Sequence, residues 1–233
     1  MRDVKSADPK VRTRALEHIV ESYWKVVYKY LRIRWKESDD EARDLTQSFF
    51  ANALERDLFE HYDPARARFR TYLRTCLDGF VSNERKARSR LKRGGAVHVE
   101  SLDFETAEGE LRTLDLPAEV DLDQFFLQEW IRSFFQLAVA ELRDRLAGDG
   151  KHVHLALFDG YDLAEPGERP TYQDLGRRHD IPVTQVTNYL ALARRRFREI
   201  VLERLRSITG SEEEFRDEAR ALLGIDPGPG PSS

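Results

Sequence analysis

Thr171-Tyr172-Gln173-Asp174-Leu175-Gly176, then Ile181-Pro182-Val183-Thr184-Gln185-Val186, then Leu190 and the arginines Arg194, Arg195, Arg196 and Arg198 form the stretch on which the fold turns. Thr171 is suited to cap a helix, and Asp174 three residues on completes a capping-box-like pattern. Leu175, Ile181, Val186 and Leu190 supply the apolar contacts that fix two helices against each other. Asp180 falls at the turn, where a left-handed backbone is usual and aspartate is tolerated better than most non-glycine residues. The pattern predicts a helix-turn-helix. Its second helix would present Gln185, Thr187 and Asn188 to base edges in a major groove, and Arg194, Arg195 and Arg198 to phosphates. A plain helical hairpin with a solvated arginine face has the same local pattern, so this segment alone leaves both readings open.

Working outward, the period of three to four residues persists. Ala15, Leu16, Ile19, Val20, Tyr23, Trp24, Val27, Tyr30 and Leu31 mark one buried face of a first helix. A second follows the polar break Glu37-Ser38-Asp39-Asp40 and carries Ala42, Leu45, Phe49, Phe50, Ala53 and Leu54. Asp63-Pro64 marks a loop, because the residue before proline is pushed out of helical geometry. A third helix, expected over 69–90, buries Phe69, Tyr72, Leu73, Cys76, Leu77, Phe80 and Val81, turns basic, and stops at Gly94-Gly95. Residues 96–122 show no sustained period and are acidic, which predicts a linker. A long amphipathic helix then runs from Phe125 to Leu146, and a short one spans 152–158. The tail predicts one short helix, 212–223, before the Pro-Gly run from Pro227, which should be disordered. The expected fold is all-α. Two helical domains, 1–95 and 123–209, are joined by the acidic linker 96–122, with the helix-turn-helix in the second and a tail over 210–233.

Charge supports this division. The 233 residues carry a net charge of only -4, yet the signs are segregated along the chain. From Arg66 to Arg93 ten basic residues face only Asp78 and Glu84, a candidate phosphate-binding face. From Glu100 to Glu129 ten acids face the single Arg112. The hydrophobic share of 40% against 34% charged suits a folded rather than a disordered chain. One cysteine, Cys76, excludes an internal disulfide. Without an apolar run at the N-terminus, the expectation is a cytoplasmic protein that meets no membrane. His152 and His154 are two apart, so on a helix their rings point to different faces; a metal site is not expected. Phosphate-loop and nucleophile-elbow patterns are absent, so neither catalysis nor a cofactor is expected.

A second segment completes the reading: Asp39-Asp40-Glu41-Ala42-Arg43-Asp44-Leu45-Thr46-Gln47-Ser48-Phe49-Phe50, followed by Asp63-Pro64-Ala65-Arg66-Ala67-Arg68-Phe69-Arg70-Thr71-Tyr72-Leu73. It resembles region two of the extracytoplasmic-function (ECF) class of bacterial sigma factors. The helix-turn-helix resembles region four of the same class, and the two occur in the right order over about two-thirds of the chain. The resemblance implies a factor that binds core RNA polymerase, directs it to promoters and promotes melting. Asp44 and Gln47, with Asp40 as a third contact, would dock on the polymerase. Arg66, Arg68, Phe69, Arg70, Tyr72, Asn83, Arg85, Lys86 and Arg88 would meet the minus-10 DNA. An unstacked base needs an apolar or aromatic pocket, and a separated strand needs cationic tracking. Gln185, Thr187, Asn188, Ala191, Arg194, Arg195 and Arg198 would meet the minus-35 DNA.

Several positions depart from the family pattern. Gly79 stands where an asparagine is common, with Asn83 one turn on. Thr187, Asn188, Ala191 and Leu192 replace a more basic recognition helix, and His179 takes a usually aliphatic place before the turn. For Phe69 and Tyr72, core packing competes with a DNA role. The linker acids would either imitate a nucleic-acid backbone in the polymerase channel or keep a tether extended. Thr46 is either a plain helix threonine or a phosphorylation switch inside the docking surface. Expected partners are core RNA polymerase and promoter DNA, with an anti-sigma factor or a Ser/Thr kinase as regulators. The rival function is a helix-turn-helix regulator that binds duplex DNA without polymerase.

Overall fold

A computed structural model describes residues 2–88, 102–117, 119–165 and 167–225. Among them there are nine α-helices and no strand. They fall into two compact units, residues 1–134 with 205–233, and residues 135–204. Neither unit ends at residue 95 or begins at residue 123. The long helix α5 (Leu122–Gly148) divides within itself: Phe125, Phe126 and Trp130 belong to the core of the first unit, Ala138, Leu142 and Leu146 to that of the second.

The first unit is built on α1 (Pro9–Arg34). Asp8 caps it by accepting from the Lys10 amide at 2.9 Å, and Pro9 occupies the first turn, where its missing N–H costs nothing. Ile19, Tyr23, Val26, Val27, Tyr30 and Leu31 are buried along its inner face. Helix α2 (Asp39–Glu55) opens with a reciprocal capping box between Ser38 and Glu41, and Asp39, Asp40 and Glu41 complement the positive helix end. Its inward stripe is Ala42, Leu45, Thr46, Phe49 and Ala53. Helix α3 (Phe69–Arg88) buries Phe69, Leu73, Leu77 and Val81 at four-residue spacing. Edge-on contacts of Phe69 with Tyr23, Phe59 and Tyr62 lock the loop before α3 to the core, with ring centroids 5.3, 5.9 and 5.2 Å apart. The basic run beyond Arg88, the Gly94-Gly95 stop and the Pro-Gly tail lie outside the described residues.

The acidic linker is corrected in part. Residues Phe104–Arg112 form a helix, α4, capped by Asp103. It lies on α1: Phe104 packs against Trp24 and Tyr28, and Ala107 is fully buried. Glu108 and Glu110 have fixed partners in place of self-repulsion. Glu108 accepts from Arg32 Nη2 at 2.8 Å and from the Tyr28 hydroxyl at 2.7 Å. Glu110 accepts from Lys25 and Lys29, both at 2.8 Å. Lys29 is fully buried and also donates to the buried Glu129 at 2.6 Å. Nine residues are too few for a helical period to show, and a glutamate, Glu108, is among the three that are buried.

In the second unit, α6 (His152–Tyr161), α7 (Tyr172–His179) and the start of α8 (Val183–Ile208) close around Leu157, Leu175, Val186 and Leu190. Thr171 and Asp174 form a capping box, and Asp180 ends α7 at φ 52°, in the left-handed region. The Ile181 amide then donates back to the Gly176 carbonyl at 3.0 Å. A Cβ at Gly176 would stand 2.8 Å from the Ile181 carbonyl oxygen, so only glycine lets the turn close this tightly. Ser211 caps the last helix, α9 (Glu212–Leu223), which belongs to the first unit.

Candidate nucleic-acid interface

The α2 surface opposite the buried stripe carries Asp40, Asp44 and Gln47, spaced four and three residues apart and so on one face. Asp40 and Asp44 are exposed and Gln47 is half-buried. Neighbouring Asp39 is committed elsewhere: Arg43 donates to it at 2.7 Å, and this pairing, helped by the Tyr28 hydroxyl against burial, holds its carboxyl below the ordinary range. Thr46 does not lie on the outer face. It is fully buried and its hydroxyl donates to the Ala42 carbonyl at 2.7 Å, so the expectation of a phosphorylation switch there is withdrawn. The stripe of positions 42, 45, 46 and 49 places it inward.

Around the 63–70 loop the structure gathers some predicted residues and reassigns others. Arg66 is exposed, with a weak pairing to Asp63 at 3.3 Å. Arg68 and Arg70 both reach Glu218 of α9, Arg68 at 3.2 Å. The Arg70 guanidinium also lies over the Trp130 ring, 5.4 Å from its centroid. Phe69 is a core residue, 1% exposed, and offers no face to a base; the competing packing explanation holds. Tyr72 is half-buried and donates to the Leu58 carbonyl at 2.9 Å. Burial and the neighbouring Cys76 push its pKa up to about 12.

Farther along α3, Asn83 and Lys86 are exposed, and the Arg88 side chain lies outside what the structure describes. Arg85 is held internally. Its guanidinium donates to Glu37 at 2.9 and 2.5 Å and to the Trp35 carbonyl at 2.6 Å, and stacks 4.7 Å from the Trp35 ring centroid. Arg85, still half exposed, thus ties the end of α1 to α3. No local pattern pairs Glu37 with Arg85, because 48 residues separate the two.

In the second unit Gln185, Thr187, Asn188, Ala191, Arg195 and Arg198 are exposed on α8. Arg194 is not free. It donates to Asp162 at 3.0 Å, approaches the Tyr172 hydroxyl at 3.5 Å and lies over the Tyr161 ring. His154 stacks on Tyr189 at 3.9 Å, and burial lowers its pKa. Among the described residues no group of His, Cys, Asp or Glu could hold a metal ion, and no helix is long and apolar enough to cross a membrane.

Glu214 and Glu218, which the sequence reading did not single out, prove central to the 63–70 loop. The Ser211-Glu214 cap spacing was readable; that α9 faces the loop with its acids was not.

The described residues define an all-helical protein that exposes an acidic helix face on one unit and a polar, arginine-bearing helix face on the other. Residues 1–200 match the ECF sigma factor family, and the chain belongs to that family. Its members are non-catalytic factors that work with core RNA polymerase in promoter-specific initiation of transcription, and anti-sigma factors are common partners. No curated protein and no solved structure matches the chain.

Proposed function

We propose that the first unit docks core RNA polymerase through Asp40, Asp44 and Gln47 and meets the opened minus-10 strand with Arg66, Arg68, Arg70, Asn83 and Lys86, while the second unit reads the minus-35 element. The observation that carries this is the family match, which runs through both units to residue 200, joined to the exposed acids Asp40 and Asp44 on one face of α2. Initiation then rests on several weak contacts tethered in one chain, each raising the local concentration of the next. Polymerase performs the bond-making chemistry, and the factor acts in the compartment that holds it. Purified protein should co-elute with core polymerase and yield discrete run-off transcripts from genomic DNA. A regulator that binds duplex DNA alone would do neither.

On α8 the phosphate contacts fall to Arg195 and Arg198. Arg198→Ala should leave stability within about 0.5 kcal/mol and flatten the slope of log affinity against log salt for duplex DNA by about 0.9. Arg194→Ala should instead destabilise the second unit by about 1–2 kcal/mol, because Asp162 and Tyr172 lose their donor. Fluorescence anisotropy across a salt series and thermal unfolding by circular dichroism separate the two effects. Equal salt slopes for wild type and Arg198→Ala would remove Arg198 from the interface.

A further inference from the structure

The 63–70 loop presents a converging set of donors, and α9 fills it with carboxylates. Glu214 accepts from the Tyr62 hydroxyl and the Phe69 amide, both at 2.9 Å, and from the Gly210 amide at 2.7 Å. Glu218, with its side chain 4% exposed, takes Arg70 and Arg68 together. Burial, followed by the charge of Glu214, raises the Tyr62 pKa, so its hydroxyl remains a donor. The chain entering α9 is pressed onto the loop: a Cβ at Gly210 would stand 2.6 Å from the Tyr62 ring and 3.3 Å from Pro64. Two arginines, a hydroxyl and backbone amides are also what a nucleic-acid phosphate requires, because carboxylate and phosphate oxygens take the same charge-assisted hydrogen bonds. Helix α9 lies wholly beyond residue 200, outside the part of the chain shared with the family.

We propose that α9 is an intramolecular occupant of this anion site, and that Glu214 and Glu218 compete with the phosphates of the opened strand for Arg68, Arg70 and the Phe69 amide. This rests on the reading that the loop meets DNA. A strand reaches the loop only in molecules whose α9 has lifted, so the free protein binds single strands more weakly than its arginines alone would allow. Apparent affinity falls by the fraction of molecules that are uncovered. The buried face of α9, formed by Glu214, Phe215, Glu218 and Ala219, makes the covered form the resting one.

The test uses the full chain and a fluorescein-labelled single-stranded oligo(dT). Glu218→Gln keeps the shape of the side chain and removes its charge. It should bind about tenfold tighter, as when an uncovered tenth of the population becomes nearly all of it. Its salt slope should steepen by about 1.4, for two arginines released to a single strand. Adding Arg68→Gln and Arg70→Gln should abolish the gain. In the wild type, amide hydrogen exchange over residues 212–223 should speed up when the oligonucleotide binds, a readout that decides the matter even if Glu218→Gln fails to fold. Unchanged exchange there, or wild-type affinity and slope for a folded Glu218→Gln, overturns the inference. The loop reading is tested apart: Arg68→Gln with Arg70→Gln should lower run-off transcript yield with core polymerase. If yield falls while α9 stays put, the loop meets DNA and α9 is a fixed part of the unit. If yield does not change, the loop reading fails and the inference fails with it.

Discussion

Asp44→Arg is expected to abolish association with core RNA polymerase while leaving the fold intact. Asp44 is exposed on the outer face of α2, opposite the buried stripe of Leu45 and Phe49, and no ion pair within the described residues depends on it. Arginine is a good helix former, so the helix itself should lose no more than a few tenths of a kcal/mol. At the proposed docking surface the change is two units of charge. A like-charge juxtaposition across an interface costs several kcal/mol, and each 1.4 kcal/mol is tenfold in affinity, so binding should weaken by about 100-fold or more. Asp44→Asn should fall between, and raised salt should narrow the gap between the two. Labelled protein titrated with core polymerase measures this directly, with circular dichroism as the folding control. Wild-type affinity for Asp44→Arg would move the docking surface elsewhere and leave the family membership standing.

The same helical period turns Asp44 outward and Thr46, two residues away, inward. Positions 42, 45, 46 and 49 lie inward, and 40, 44 and 47 lie outward; a small polar residue such as threonine fits either side, and only packing decided it. Apolar periodicity likewise marked α1, α2, α3 and the inner face of α8, because burying a stripe of leucine and aromatic side chains is what those helices are for. It says nothing of which side faces inward where that side is charged, even for the expected helix 212–223, which is present. Helix α4 turns Glu108 and Glu110 toward lysine and arginine of α1, and α9 turns Glu214 and Glu218 toward the loop before α3. To a period-based reading both faces look like solvated acids. Blocks of opposite charge along the chain therefore do not by themselves point to partners outside it. Part of each is matched internally: Lys25, Lys29 and Arg32 by α4, Arg68 and Arg70 by α9, Arg85 by Glu37 and Arg194 by Asp162. Exposed charges such as Asp40, Asp44 and Arg66 on one unit and Arg195 and Arg198 on the other are what an interface can draw on.

Lys29→Met is expected to be among the most damaging single substitutions in the first unit, destabilising it by about 3–5 kcal/mol. The side chain of Lys29 is 0% exposed and its ammonium joins Glu110 of α4 to Glu129 of α5, itself 3% exposed. Methionine fills most of the volume, so the loss is electrostatic: Glu129 is left buried with only its second oxygen held, by Arg132 at 2.6 Å. Removing both charges should be far milder. Lys29→Met with Glu129→Leu deletes the pair instead of orphaning one member, and well-packed apolar replacements of buried pairs are often neutral. A double-mutant cycle by urea unfolding isolates this coupling. All three tryptophans, Trp24, Trp35 and Trp130, lie in the first unit, so their fluorescence reports on that unit alone. Acid should loosen the same region. Arg32, ahead of the Tyr28 hydroxyl and against burial, holds the Glu108 carboxyl below its ordinary 4.5. For Glu110, burial alone would raise the value, and Lys25 and Lys29 outweigh it. A carboxylate depressed in the folded state contributes its stability above the unfolded value and loses it as pH falls through the folded one. The contribution of α4 should therefore be intact at pH 7, begin to fade below about 4.5 and vanish in stronger acid. Exchange of the amides at residues 104–112 follows it. If Lys29→Met unfolds at the wild-type urea concentration, the buried triad contributes no net stability, and the hold of α4 on α1 must come from Phe104 and Ala107 instead.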